Sequence, residues 1–192
     1  MSDRIAVIGS NSFSGSHFVA RLLREGHEVL GISRSPEISH VFRAYAWESC
    51  GGSWLFKQAD LNDPDPLYAS LRDFDPDVVV NFGAQSMVDQ SWDSPEDWYT
   101  TNVLGIVELG KQLRLLPSLK RYVHVTTPEV YGSTQGWITE SWSLFPTTPY
   151  AISRAAGDLH LRALNEIQGL PVCFTRAANV YGPGQELYRI VP

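Results

Sequence analysis

The chain has 192 residues, enough for one large domain with its own core and too many for a mini-protein held by disulfide or metal staples. Hydrophobic residues make up 43% and charged residues 19%, a balance that fits neither a disordered nor a low-complexity chain. The 15 Lys and Arg against 21 Asp and Glu leave a net charge of −6, which argues against nucleic acid or an anionic membrane as partner. Any phosphate must therefore be held locally. The lysines are Lys57, Lys111 and Lys120, so beyond residue 120 every fixed cation is an arginine.

Residues 5–8 form a short apolar run, followed by a Gly/Ser/Asn cluster and a helical pattern with Phe18, Val19, Leu22 and Leu23 on one face. Further strands are expected at 28–32, 54–58 and 78–82. Pro95 opens a helix expected to run to about 116, with Val103, Ile106, Val107 and Leu113 at helical spacing. A fifth strand follows at 121–125, a helix at about 150–167 ended by Gly169 and Pro171, and a sixth strand at 172–175. Residues 187–191 begin another segment. This alternation predicts an α/β domain with a doubly wound parallel sheet, Rossmann-like, whose ligands sit beyond the carboxyl ends of the strands. Cys50 and Cys173 lack CxxC spacing and a nearby His cluster, so no metal site and no disulfide is signalled. No apolar run approaches the roughly 18 residues of a membrane span, and MSDRIAVIGS carries no signal-peptide profile, so a cytoplasmic protein with no membrane partner is expected.

After the first strand, Gly9, Ser10, Asn11, Ser12, Phe13, Ser14 and Gly15 form a turn into a helix, where free N–H groups and the helix dipole suit a pyrophosphate. An ordinary capped turn reads equally well from these residues. Ser12 stands where a middle glycine is usual, and its hydroxyl is available to a phosphate. The second strand ends in Ser33 and Arg34 where an acid for a ribose 2′-OH would stand, and an arginine there suits a 2′-phosphate, or else is a solvated surface residue. Asp60 and Leu61 after the third strand fit an adenine-side contact or a helix cap. His124, inside an apolar strand, reads as a core histidine.

Four further motifs appear in register: VVNFGAQSMVDQSWDSPEDWYTTNVLG, YVHVTTPEVYG, PYAISRAAGDL and RAANVYGPGQ. They resemble N-x-A-A-x-S-H-V with its T-N-V-x-G continuation, S-T-x-E-V-Y-G, P-Y-x-x-S-K and R-x-x-N-x-Y-G-P of the extended short-chain dehydrogenase/reductases that act on nucleotide sugars. That NAD-dependent epimerase/dehydratase family includes 4,6-dehydratases, 4-epimerases and UDP-glucuronate decarboxylases. The resemblance implies a dinucleotide-binding domain over residues 1–192, with the substrate-binding segment starting at about 180–192 and a C-terminal substrate lobe missing.

It also implies roles. Tyr150 is the base that takes a sugar hydroxyl proton, and Arg154 replaces the family's lysine four residues on. Thr127 bonds the reacting oxygen. Glu129 matches the glutamate of dehydratases, whereas the residue between them is Pro128, which has no side-chain acid. Asn102 supports proton transfer, Phe82, Gly83 and Ala84 line the cofactor, and Ser86 and Asn179 meet the substrate. The function implied is an NAD(P)-dependent 4,6-dehydratase acting on a nucleotide sugar through a transient 4-keto sugar. A 4-epimerase is the alternative, as is a non-catalytic relative that binds cofactor or sugar nucleotide. The cofactor is NAD or NADP, with Arg34 tilting toward NADP. The apolar excess on the helices at 95–116 and 150–167 predicts a two-fold homodimer.

Overall fold

The computed structural model describes residues 2–47 and 51–186; Cys50 and the segment expected at 187–191 lie outside them. Six parallel strands, β1 (Arg4–Ile8), β2 (Glu28–Ser33), β3 (Ser53–Gln58), β4 (Val78–Asn81), β5 (Arg121–Val125) and β6 (Val172–Thr175), lie in the order β3-β2-β1-β4-β5-β6. The chain winds outward from β1 in one direction and then from β4 in the other. This places a topological switch, and the crevice above it, between β1 and β4.

Alternation along the strands supplies two cores. Ile5, Val7, Val29 and Val80 face α1 (Phe13–Arg24), meeting Val19, Leu22 and Leu23. Ala6, Ile8, Leu30, Ile32 and Val79 face α2 (Pro64–Phe74), α4 (Gly105–Leu113) and α5 (Pro149–Gln168). Helices therefore cover both faces, as the doubly wound pattern requires. The helix α2 escapes the sequence reading because its eleven residues carry two prolines and only three core side chains, Leu67, Leu71 and Phe74.

The helix expected over 95–116 is broken. It consists of α3 (Pro95–Tyr99), a π-helical turn (Thr100–Leu104) and α4, which ends at Leu113. Gly105 N–H reaches back five residues to the Thr100 carbonyl. The extra residue rotates Asn102 into the interior, where it is 1% exposed. Gly157 of α5 packs on this turn so closely that a Cβ there would lie 2.5 Å from the Asn102 carbonyl oxygen.

Candidate active site

The predicted residues at the ends of β1 and β4 come together. Gly9 has φ +80°, a conformation that disfavours L side chains, and a Cβ on it would lie 2.7 Å from the Gly83 nitrogen. Ser12 caps α1: its hydroxyl donates to the Gly9 carbonyl at 2.7 Å and accepts from Gly15 N–H at 3.1 Å. Its proton is directed into the turn. The backbone N–H groups of Phe13 and Ser14, first in α1, have no intrahelical partner and supply the anion-binding capacity instead. A dinucleotide pyrophosphate fits this end.

Beyond β2, Ser33 is 7% exposed and its hydroxyl accepts from Asn11 N–H at 3.0 Å. The Asn11 side-chain amide donates to Pro36 O at 2.9 Å and to Ser35 Oγ at 3.1 Å, pinning the segment after β2 to the glycine turn. Arg34 is exposed beside them. Asp60 accepts from Asn62 N–H at 2.9 Å, turning the chain after β3, and Leu61 is buried near Gly83 and Gly105. Phe82 packs against Phe18 with the rings tilted and their centroids 5.7 Å apart, and Ala84 is half-buried.

Asn102 holds the next loop. Its Oδ1 accepts from Gln85 N–H, and its Nδ2 donates to Gln85 O and to Ser153 Oγ, each at 2.9 Å. Both of its donors and its oxygen are thus engaged in clamping the residue before exposed Ser86 to α5. Ser91, fully buried, accepts from Tyr150 N–H at 3.2 Å and ties the same loop to the start of α5.

Thr127 and Glu129 follow β5. The Thr127 hydroxyl accepts from Glu129 N–H at 3.2 Å, capping a 3₁₀ turn (Pro128–Tyr131), which leaves its own proton to donate. Glu129 is exposed, and partial desolvation raises its carboxyl above the ordinary range. Tyr150 is 8% exposed, and its hydroxyl has no hydrogen-bond partner among the described residues. Arg154, 3% exposed, donates from Nη2 to the Val125 carbonyl at the end of β5, while its Nε has no partner. Asn179 is exposed after β6, as is Trp92 after β4.

A buried polar chain lies beneath these residues, and the sequence reading missed it. Asn81 Nδ2 donates to Tyr122 Oη at 3.4 Å, Tyr122 Oη pairs with His124 Nδ1 at 2.9 Å, and His124 Nε2 lies 3.6 Å from Asp158. Burial holds His124 well below its usual range, helped by Arg154 and Arg176, so it is a neutral core residue as its strand position implies. Burial pushes the Asp158 carboxyl up, and Arg154 and Arg176 pull it back. Asp158 follows Arg154 by four residues, one helical turn, which is the signal that places both on one face. A cleft of about 280 Å³ lined by Glu140, Ser141, Trp142, Phe174 and Arg176 contains none of the predicted site residues.

A family model described as GDP-mannose 4,6 dehydratase matches residues 7–191. The chain belongs to this family. It lies within the extended short-chain dehydrogenase/reductases of the NAD-dependent epimerase/dehydratase type. The dTDP-glucose 4,6-dehydratase of Xanthomonas campestris pv. campestris is 32% identical over 196 residues, covering 97% of this chain and 56% of that protein. The UDP-glucose 4-epimerase of Mycolicibacterium smegmatis is 35% identical over 187 residues, covering 95% and 58%. A crystal structure of a dTDP-glucose 4,6-dehydratase from Streptomyces venezuelae with NAD and TYD bound superposes with a TM-score of 0.87 at 35% identity, covering 98% of this chain and 60% of that one. The chain thus spans little more than half the length of these relatives. Among the described residues no helix is long and apolar enough to cross a membrane, and no group of His, Cys, Asp and Glu suits a metal ion.

Proposed function

We propose that the chain carries the cofactor-binding and catalytic half of an NAD(P)-dependent nucleotide-sugar 4,6-dehydratase. The observation that carries this reading is Glu129, a partly desolvated carboxylate with no partner among the described residues, held by its own backbone two residues beyond Thr127. The Gly9 turn and the start of α1, with Asn11, Phe13, Ser14 and Gly15, would hold the pyrophosphate of such a cofactor. Ser33, Arg34, Asp60 and Leu61 flank the adenosine, and Phe82, Gly83 and Ala84 line the floor. A nicotinamide cofactor held by these residues would supply the hydride chemistry, accepting a hydride from C4 of the sugar and giving one back at C6.

Tyr150 takes the C4 hydroxyl proton, and Arg154, four residues on in α5, is the cation on the same helix. Thr127 donates a hydrogen bond to the same oxygen. The 4-ketone acidifies C5, Glu129 takes the C5 proton, and hydroxide leaves C6 as water once protonated. Pro128 offers no acid for that last step, so solvent supplies the proton and elimination is slow. Ser86 and Asn179, both exposed, meet the sugar nucleotide.

Pro128 also favours a second reading, a 4-epimerase, in which the 4-keto sugar is reduced again at C4 and Glu129 is idle; the similarity to the M. smegmatis epimerase supports it. Single-turnover assays on dTDP-glucose, UDP-glucose and GDP-mannose separate the two. Glu129→Gln in a dehydratase retains reduction of the nicotinamide and loses the 4-keto-6-deoxy product, whereas full activity in Glu129→Gln refutes the dehydratase. Two further assignments belong to this proposal. Arg34 beside buried Ser33 favours NADP. The exposed apolar side chains Leu104, Ile152 and Leu159 on the helices after β4 and β5 pair two copies into a homodimer.

A further inference from the structure

Glu129 and Tyr150 sit on separate elements, and the loop between them contains no helix or strand. Glu129 is held by its backbone alone: its N–H donates to Thr127 and its carbonyl accepts from Gly132 N–H at 3.0 Å. The turn that carries it packs on the helix that carries Tyr150 through Val130, Tyr131 and Ala155, and apolar contact alone leaves its exact placement to polar ties. Arg176, just past β6 with a side chain 10% exposed, touches both. Its Nη1 donates to Tyr131 Oη at 2.8 Å, two residues beyond Glu129. Its Nη2 donates to Asp158 Oδ2 at 3.1 Å, in α5. Its planar face lies 5.0 Å from the Tyr131 ring centroid and 4.9 Å from that of Trp142, in the connecting loop. Arg162 of α5 covers Trp142 as well, at 4.8 Å, so the indole is held by two guanidinium groups. Tyr131 Oη also accepts from Ser141 N–H at 3.3 Å.

We propose that Arg176 is a positioning residue that sets the placement of Glu129 relative to Tyr150 by joining the Tyr131 turn, the Trp142 loop and Asp158 through one guanidinium. The bond to Asp158 anchors the group to the helix, and the bond to Tyr131 carries that anchor to the turn. A planar fork with two separate N–H directions makes this bridge, and an ammonium does not. The catalytic consequence rests on the dehydratase reading; the mechanical tie does not.

Two variants of the full chain test it. Tyr131→Phe removes the hydroxyl and leaves the Asp158 pair intact. Arg176→Lys retains a positive charge beside Asp158 and loses the bridge. In both, amide hydrogen exchange at Glu129, Val130 and Tyr131 accelerates while that of α5 stays as in the wild type. With whichever of dTDP-glucose, UDP-glucose and GDP-mannose the wild type oxidises, reduction of the nicotinamide in a single turnover is unchanged. Loss of the C5 proton to solvent slows at least ~10-fold, since displacements of the order of 1 Å cost up to about 10²-fold. Unchanged amide exchange in both variants overturns the proposal, as does restoration of wild-type behaviour by Arg176→Lys, or an equal slowing of both chemical steps. A wild type that dehydrates none of the three sugars refutes the dehydratase reading, and amide exchange alone then decides the tie.

Discussion

Asn102→Ala tests whether the π-helical turn exists to aim one side chain. The amide makes three hydrogen bonds of 2.9 Å from a position that is 1% exposed, two to the Gln85 backbone and one to Ser153 Oγ. Truncation orphans three groups, but not equally. Gln85 is half-buried, so its N–H and C=O recover some hydration, and fully buried Ser153 keeps its own donation to the Tyr150 carbonyl at 2.7 Å. Each orphaned group costs about 1–3 kcal/mol, here nearer the low end, so the total is about 3 kcal/mol. For a chain of this length that lowers Tm by roughly 6–12 °C. Asn62→Ala is the control, since the exposed Asn62 side chain makes one bond, to Thr101 at 3.1 Å, and its loss costs less than about 1 kcal/mol. Urea titrations of both variants, read by circular dichroism with m compared to the wild type, give the difference directly. Equal losses in the two variants would refute the clamp.

Other outcomes follow from the same geometry. Gly15→Ala places a Cβ 2.3 Å from the Gly9 carbonyl oxygen, so cofactor affinity falls at least ~10-fold by calorimetry and stability drops by about 1–3 kcal/mol. His124 is held neutral by burial with its proton affinity depressed, so the unfolded chain binds a proton that the folded one refuses; stability falls as pH drops below about 6.5, and His124→Gln flattens that slope in denaturation followed between pH 7 and 5. Arg34→Ala weakens NADP binding and leaves NAD binding unchanged; an NAD preference that survives the substitution refutes the role given to Arg34. Leu104→Glu, at a side chain 64% exposed, yields a monomer by sedimentation where the wild type sediments as a dimer.

The sheet was legible because its strands are short apolar runs separated by helical patterns, and because sequence order in a parallel sheet constrains the connections so tightly. Motifs just past a strand mark Gly9, Gly83 and Thr127, and the structure brings Gly9 and Gly83 together, whereas Tyr150 is marked by the start of a helix. Two kinds of feature were not legible. A π-helical turn shifts the register by a single residue, and the apolar spacing of Val103, Ile106 and Val107 fits an unbroken helix as well as a broken one. The buried chain from Asn81 to Arg176 consists of residues far apart in sequence, each of which reads as an isolated polar exception until β4, β5, β6 and α5 are packed together. Of the two readings open for the Ser12 turn, the capping one is visible in the structure, because a residue at the start of a helix serves its own backbone first.

The most direct test of the central claim is turnover in deuterated water with dTDP-glucose, UDP-glucose and GDP-mannose, with the product resolved by NMR. If Tyr150 oxidises C4 and Glu129 exchanges the C5 proton with solvent, the product is a 4-keto-6-deoxy sugar carrying deuterium at C5. A sugar inverted at C4 with no deuterium at C5 would contradict the dehydratase and make the chain part of an epimerase.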